Sequence, residues 1–288
     1  MMIDAHHHLW KYNQREYRWM DDSMHVLQRD YLPGDLEQEL SQTGVSGTVV
    51  VQARQNLEET RWLLGLANTH SFIKGVVGWL DLRSSELDKQ LDAFAAHPKL
   101  VGLRHVLHDE PDDEFMLRKD FMNGIAQLKA YNLTYDLLLF PRHIEPAIML
   151  VERHSRQRFV LDHLGKPLIK SGIMEPWKRD ITRLAAYPNV WCKLSGMVTE
   201  ADLQNWSYKE LLPYMETVLE AFGPERLMLG SDWPVCRLAG EYGEVIGVVR
   251  KFIKSMDIKD QTKILYQNAI DCYQLKLIDN GEEKVQDS

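Results

Sequence analysis

Cysteine is scarce: three residues in 288, Cys192, Cys236 and Cys272, widely spaced and odd in number. That excludes a disulfide framework and suits a reducing compartment. Positive charge is also short. Lys and Arg number 34 against 42 Asp and Glu, a formal net charge of −8. Such a chain has no electrostatic footprint for nucleic acid or an anionic membrane. Its brief basic run, RHSRQR, reads as a solvated helix end. No apolar run approaches the length of a membrane span, and no signal peptide precedes the first apolar segment. A cytoplasmic protein is expected. There is no phosphate loop with its lysine, no G-x-G-x-x-G after a strand and no G-x-S-x-G elbow. Nucleotide, dinucleotide and serine-hydrolase readings therefore lose their main support.

Short apolar, β-branched runs recur eight times: MMIDAHHH, GTVVVQA, IKGVVGWL, LVGLRHV, LTYDLLL, RFVLDHLG, NVWCKLSG and RLMLGSDW. Their near-continuous hydrophobicity suits parallel strands covered on both faces. Helical periodicity lies between them. Ile144, Ala147, Ile148 and Val151 recur at i, i+3, i+4, i+7, and similar stripes run through Trp177–Ala185 and Leu212–Phe222. Pro33-Gly34, Tyr187-Pro188 and Gly223-Pro224 mark joints. Eight alternations predict an α/β fold, a single-domain (β/α)8 TIM barrel over residues 1–277, with a polar tail over 278–288. The connection from Trp10 to about Pro33 has no clear element and is expected to act as a lid or substrate wall.

Barrels place chemistry at the C-terminal ends of their strands. Those ends are unusually polar here. The first carries three histidines. Two-residue alternation puts Asp4, His6 and His8 on one face and His7 on the other. The later ends carry Arg54, Trp79, Arg104-His105, Asp136, Asp162-His163, Lys193 and Ser195, and Ser231-Asp232-Trp233. Packing alone explains such residues poorly, because polar groups are costly to bury without partners. Arg104 and His105 have opposite parity, so one of them faces inward. His163 shares the parity of Leu161 and is expected to face the interior by that route. Asp136 either pairs with an arginine or reads substrate hydroxyls, the second being preferred. Lys193 suits a buried salt bridge. Trp10, Trp79 and Trp233 suit an aromatic wall for a small ligand.

Strands eight and one are neighbours in a closed barrel, so His6, His8 and Asp232 should meet, with His163 opposite. Two chemistries fit. His6, His8 and Asp232 hold a single divalent ion such as zinc that activates water. Alternatively, Asp232 and His163 act on water by general acid–base catalysis while His6, His8 and an arginine polarise a carbonyl.

The opening IDAHHHLW, with VQARQNLEETRWLL, GVVGWLDL, GLRHV, YDLLL, VLDHLGKP, CKLSGMVTEAD and FGPERLMLGSDWPVC, resembles the amidohydrolase superfamily. It is most similar to the sugar-lactone branch that includes L-fuconolactonase and L-rhamnono-lactonase, with 2-pyrone-4,6-dicarboxylate lactonase further off. The likeness runs over nearly the whole chain. It implies hydrolysis of a sugar-acid lactone, with Asp232 activating water, His6, His8 and His163 beside it, and Arg54, Arg104, His105 and Asp136 reading hydroxyls. The usual metal-binding histidine of strand five and the bridging lysine or glutamate of strand four are missing. The resemblance thus implies no binuclear centre and no required cofactor. The expected partner is a small-molecule lactone, and a homodimer is compatible with this size. A metal-dependent decarboxylase, an aromatic-dicarboxylate lactonase and a non-catalytic sugar-acid binder are the alternatives.

Overall fold

Residues Ile3–His7 form the first strand, β1, and every residue in it is buried. Seven more strands follow in a computed structural model that describes residues 1–276. They are β2 Gly47–Val51, β3 Ile73–Gly78, β4 Leu100–His105, β5 Thr134–Leu137, β6 Phe159–Leu161, β7 Val190–Leu194 and β8 Leu227–Leu229. All neighbours pair in parallel, in the order β1 to β8. The ring closes where His8 N–H donates to the Trp233 carbonyl at 2.6 Å and Asp232 N–H donates to the His6 carbonyl at 2.8 Å. Each of the eight apolar runs supplies one strand. The tail expected over 278–288 lies outside the described residues.

The helices are α1 Pro33–Thr43, α2 Leu57–Thr69, α3 Leu87–Ala95, α4 Lys119–Leu128, α5 Ile144–Arg153, α6 Trp177–Ala185, α7 Met197–Glu200, α8 Tyr208–Phe222, α9 Tyr242–Ile253, α10 Ile258–Thr262 and α11 Asn268–Tyr273. In α5 the predicted stripe of Ile144, Ala147, Ile148 and Val151 is buried. In α8 the buried stripe is Leu211, Tyr214, Met215, Val218 and Phe222, so Leu212 sits at its edge.

Two apolar layers result. The larger fills the space between strands and helices and includes Val50, Leu103, Tyr135, Leu161 and Leu194. The smaller lies inside the barrel: Ile3, Ala5, Val49, Val51, Val77, Val101, Val160 and Met228, joined by Ala269, Cys272, Tyr273 and Leu275 around α11. α11 thus plugs one mouth of the barrel. All three cysteines are buried and free. No helix among the described residues is long and apolar enough to cross a membrane.

The first connection is tied down by an antiparallel bridge. The N–H groups of Trp10 and Tyr31 each donate to the other's carbonyl at 2.9 Å. Trp10, Tyr17, Tyr31 and Trp233 pack there as an aromatic cluster.

Candidate active site

The face rule needs one correction in β1. Asp4 pairs with Thr48 but His7 pairs with Val50, so β1 gains a residue between them. A slip of one residue reverses side-chain facing beyond it. Ala5 and His6 therefore both turn inward. Asp4 turns out toward α9, where its carboxylate accepts from Ser231 N at 2.9 Å, Ser231 Oγ at 2.6 Å and Tyr242 Oη at 3.2 Å. It does not share a face with His6. His7 also points outward, its Nε2 2.9 Å from Thr48 Oγ1.

The inward imidazoles converge. His6 Nε2 lies 3.2 Å from His8 Nε2. Asp232 Oδ1 stands 3.4 Å from His8 Nε2, and 3.7 Å from Nε2 of both His6 and His163. Each side chain is at most 6% exposed. Asp232 reaches this point through a left-handed backbone, φ +59°. Gly230 provides the room: a Cβ there would stand 3.1 Å from the His6 Cβ.

His163 also turns inward, but not by strand parity. Leu161 packs in the outer layer, while Val160 lines the barrel. β6 ends at Leu161, and left-handed φ of +54° at His163 and +55° at Leu164 swing the ring back. Its Nδ1 then lies 2.9 Å from Ser195 Oγ. Gly196 sits against it; a Cβ there would be 2.5 Å from His163 Nδ1.

Beneath the imidazoles lies a buried ion cluster. Lys193 Nζ is 2.6 Å from Asp136 Oδ2, 2.9 Å from Asp162 Oδ1 and 3.1 Å from His6 Nδ1. Tyr273 Oη donates to Asp136 Oδ2 at 2.8 Å. Arg104 Nη1 lies 3.0 Å from Asp162 Oδ2 and 3.3 Å from His6 Nε2. The other guanidinium nitrogens bond Gln52, Nη2 to its carbonyl at 2.5 Å and to Oε1 at 2.8 Å. Two carboxylates balance two cations, which is how buried charge is tolerated.

Several expected substrate contacts therefore fall elsewhere. Asp136 is fully buried in the ion cluster, its Oδ2 paired with Lys193 and Tyr273 and its Oδ1 without a partner among the described residues. Arg104, not His105, faces inward. His105 stacks on Phe115, accepts from Trp79 Nε1 at 3.3 Å and meets Glu110 Oε1 at 2.6 Å, all in the outer layer. Trp10 and Trp233 are 0% and 1% exposed, so they seat the first connection rather than offer a free wall. Arg54 is held at the rim between Glu59 and Glu16 of that connection.

Three participants were missed as site residues. Asp162 shares the parity of Val160, which lines the barrel, so alternation carries it inward once the facing of β6 is known. Gln52 reveals itself through Arg104. His108 stacks on Phe140 with ring centroids 4.7 Å apart, and its buried Nδ1 has no partner among the described residues. Burial lowers its pKa to about 3, and the charges of Lys166, Arg104 and His163 add to that, placing it near the mouth.

Burial pulls His6 well below the usual imidazole range, although Asp162 opposes it. It likewise takes His163 to about 4, despite the carboxylates of Asp232 and Asp162. Burial alone would raise Asp232, but His163, a hydrogen bond from His8, and His6 outweigh it and hold the carboxyl below its ordinary value. At neutral pH, His6 and His163 are neutral and Asp232 is ionised.

His6, His8 and Asp232 fit a metal ion. Tetrahedral zinc with bonds of about 2.0–2.1 Å needs ligand atoms about 3.3 Å apart. The three separations here are 3.2, 3.4 and 3.7 Å. His8 Nδ1 donates to the Val51 carbonyl at 2.8 Å, which fixes the ring and turns Nε2 toward Asp232. A second donor set, His6, Asp162 and His163, is already served by the cations of Lys193 and Arg104.

The amidohydrolase family model matches residues 3–275. The chain belongs to the amidohydrolase family. It is 41% identical over 245 residues to an L-fucono-1,5-lactonase of Burkholderia ambifaria, covering 84% of this chain and 83% of that one. It is 38% identical to an L-fucono-1,5-lactonase of Burkholderia multivorans, covering 96% of each. An amidohydrolase from Burkholderia multivorans solved with bound zinc superposes with a TM-score of 0.93 at 38% identity, over 96% of this amidohydrolase and all of that one. A manganese-bound dihydroxybenzoic acid decarboxylase from Polaromonas shares the fold, at 13% identity and a TM-score of 0.68.

Proposed function

We propose that this amidohydrolase hydrolyses the lactone of a sugar acid, an aldonolactone of the L-fucono-1,5 type, to the open acid. The observation that carries this reading is one ionised carboxylate, Asp232, within 3.7 Å of three imidazoles at the open mouth of the barrel. The near full-length likeness to two L-fucono-1,5-lactonases supports the substrate class.

The reaction follows from the arrangement. Water beside Asp232 gives a proton to the carboxylate and attacks the lactone carbonyl carbon. Negative charge develops on the carbonyl oxygen. His6 and the Arg104 guanidinium beneath it supply hydrogen and charge there. The tetrahedral carbon then releases the ring oxygen. Asp232 passes its proton through His163 to that oxygen, so the products are a carboxylate and a hydroxyl, with one proton released to solvent. Ser195 orients His163 throughout. A divalent ion at His6, His8 and Asp232 would acidify its bound water and polarise the carbonyl. Turnover in this reading does not require it.

Proton release followed with an indicator, over a panel of aldonolactones with and without chelator, tests the proposal. Hydrolysis that survives chelation supports it in full. Hydrolysis lost on chelation and restored by zinc keeps the substrate class but makes the ion obligatory. No hydrolysis of any lactone overturns it, and loss of carbon dioxide from an aromatic acid would then point to a decarboxylase.

A further inference from the structure

Asp4 stands two residues before His6 and behind the site, not in it. Its buried carboxylate lies at the seam where β1 meets the end of β8. Hydrogen-bond donors converge on both of its oxygens. Oδ1 accepts from the backbone N–H of His6 at 3.0 Å and from that of Ser231 at 2.9 Å. Oδ2 accepts from Ser231 Oγ at 2.6 Å and from Tyr242 Oη at 3.2 Å. Ser231 Oγ in turn accepts from the N–H of Trp233 at 3.0 Å. One carboxylate therefore holds the N–H groups on both sides of Asp232, directly at Ser231 and through a hydroxyl at Trp233.

Three irregularities meet there. β1 changes register between Asp4 and His7. A bond from the His6 N–H to a side chain two residues back is of the kind that competes with a strand ladder. Asp232 has φ +59°, a backbone that a residue with a side chain keeps only where its surroundings fix it. The seam itself is an isolated bridge, His7 with Trp233, and not a continuous ladder. Backbone donors along it need an acceptor when buried, and Asp4 is that acceptor.

We infer that Asp4 is a positioning residue for the site. It keeps the register shift that turns His6 inward and the left-handed turn that brings Asp232 to it. Its role is to accept hydrogen bonds across the barrel seam, and it touches no reacting atom. Small displacements of reacting groups are costly in rate, so a clamp this close to both groups acts on kcat. The kinetic part of the inference rests on the proposed lactone hydrolysis; the positional part does not.

Kinetics with L-fucono-1,5-lactone and a crystal structure of one variant test it. Asp4→Ala removes the acceptor and should lower kcat about 10-fold or more, with KM held within about twofold. Ser231→Ala keeps the direct backbone bonds but breaks the relay to Trp233, and should lower kcat severalfold. Asp4→Asn keeps an oxygen for the two N–H groups and offers the hydroxyls an amide donor. Ser231 Oγ can then donate to the His6 carbonyl, 3.2 Å away, so most of the rate should return. Tyr242→Phe loosens α9 but leaves the seam, so kcat should stay at the wild-type value even where stability falls. An Asp4→Asn enzyme as slow as Asp4→Ala overturns the inference, because charge and not position would then be at stake. A Tyr242→Phe loss equal to that of Ser231→Ala also overturns it, since that marks general loosening. The crystal structure of Ser231→Ala reads position with no substrate. Asp232 should leave its left-handed backbone, or its carboxylate should leave the 3.4 Å contact with His8. An unmoved Asp232 overturns the inference, whatever the wild-type enzyme hydrolyses. If Asp4→Ala does not fold, the rate and structure of Ser231→Ala decide.

Discussion

The backbone N–H of Asp232 donates to the carbonyl of His6 at 2.8 Å, so the bond that closes the barrel also sets the carboxylate beside the imidazole. Barrel closure and site assembly are one event. The side chain of Asp232 can therefore be altered while that backbone bond is kept.

Asp232→Asn should leave folding intact and lower lactone turnover by about 10²–10⁴-fold, the usual range for a lost acid–base group. Circular dichroism and indicator-coupled kinetics check both halves. Near-wild-type turnover would show that another group handles the water.

Gly196→Ala tests whether the position of His163 matters. The backbone there has φ +64°, and the new Cβ would lie 2.5 Å from His163 Nδ1. Backbone strain costs about 1–3 kcal/mol. Displacing His163 should lower kcat about 10-fold or more, since small misplacements of catalytic groups are costly. A variant that loses stability but keeps kcat would remove His163 from the proton path.

Asp136→Ala should destabilise the fold by about 3–5 kcal/mol, the cost of stranding a buried partner charge. Urea denaturation followed by fluorescence reads this. A loss of activity at unchanged stability would instead return Asp136 to the substrate.

His7 supplies a pH prediction. Burial lowers its pKa to about 3 from an ordinary 6.5, with the neighbouring His8 adding to the shift. The unfolded chain therefore binds a proton at this residue before the folded chain does. Its contribution to stability is complete above pH 6.5 and is lost as pH falls toward 3, by up to about 1.4 kcal/mol per pH unit. His7→Gln removes that contribution. The difference in urea midpoint between wild type and variant should shift between pH 7 and pH 5. A constant difference would mean that folded His7 titrates normally.

The outline of the site was legible because strand ends are legible. Apolar runs located the eight strands, and polar residues at their ends named His6, His8, His163 and Asp232. Parity in β4 gave Arg104 or His105 one inward place between them, and left the choice open because neither residue type decides it. Parity misled at Asp4, where an extra residue in β1 reverses the facing, and at His163, where left-handed backbone does what alternation does not. Asp136 was assigned to substrate because its partner, Lys193, lies 57 residues away.

By itself, the sequence determined the strand count and order, the single barrel and the identities of the groups that meet at Asp232. Local hydrophobic period and the closure of eight parallel strands suffice for that. Only the tertiary structure decided which of these groups face water and which face one another. A bulge, a left-handed turn and a buried neutral ion cluster are settled by pairings across the barrel. Their energies depend on partners tens to hundreds of residues away, and no local pattern carries them.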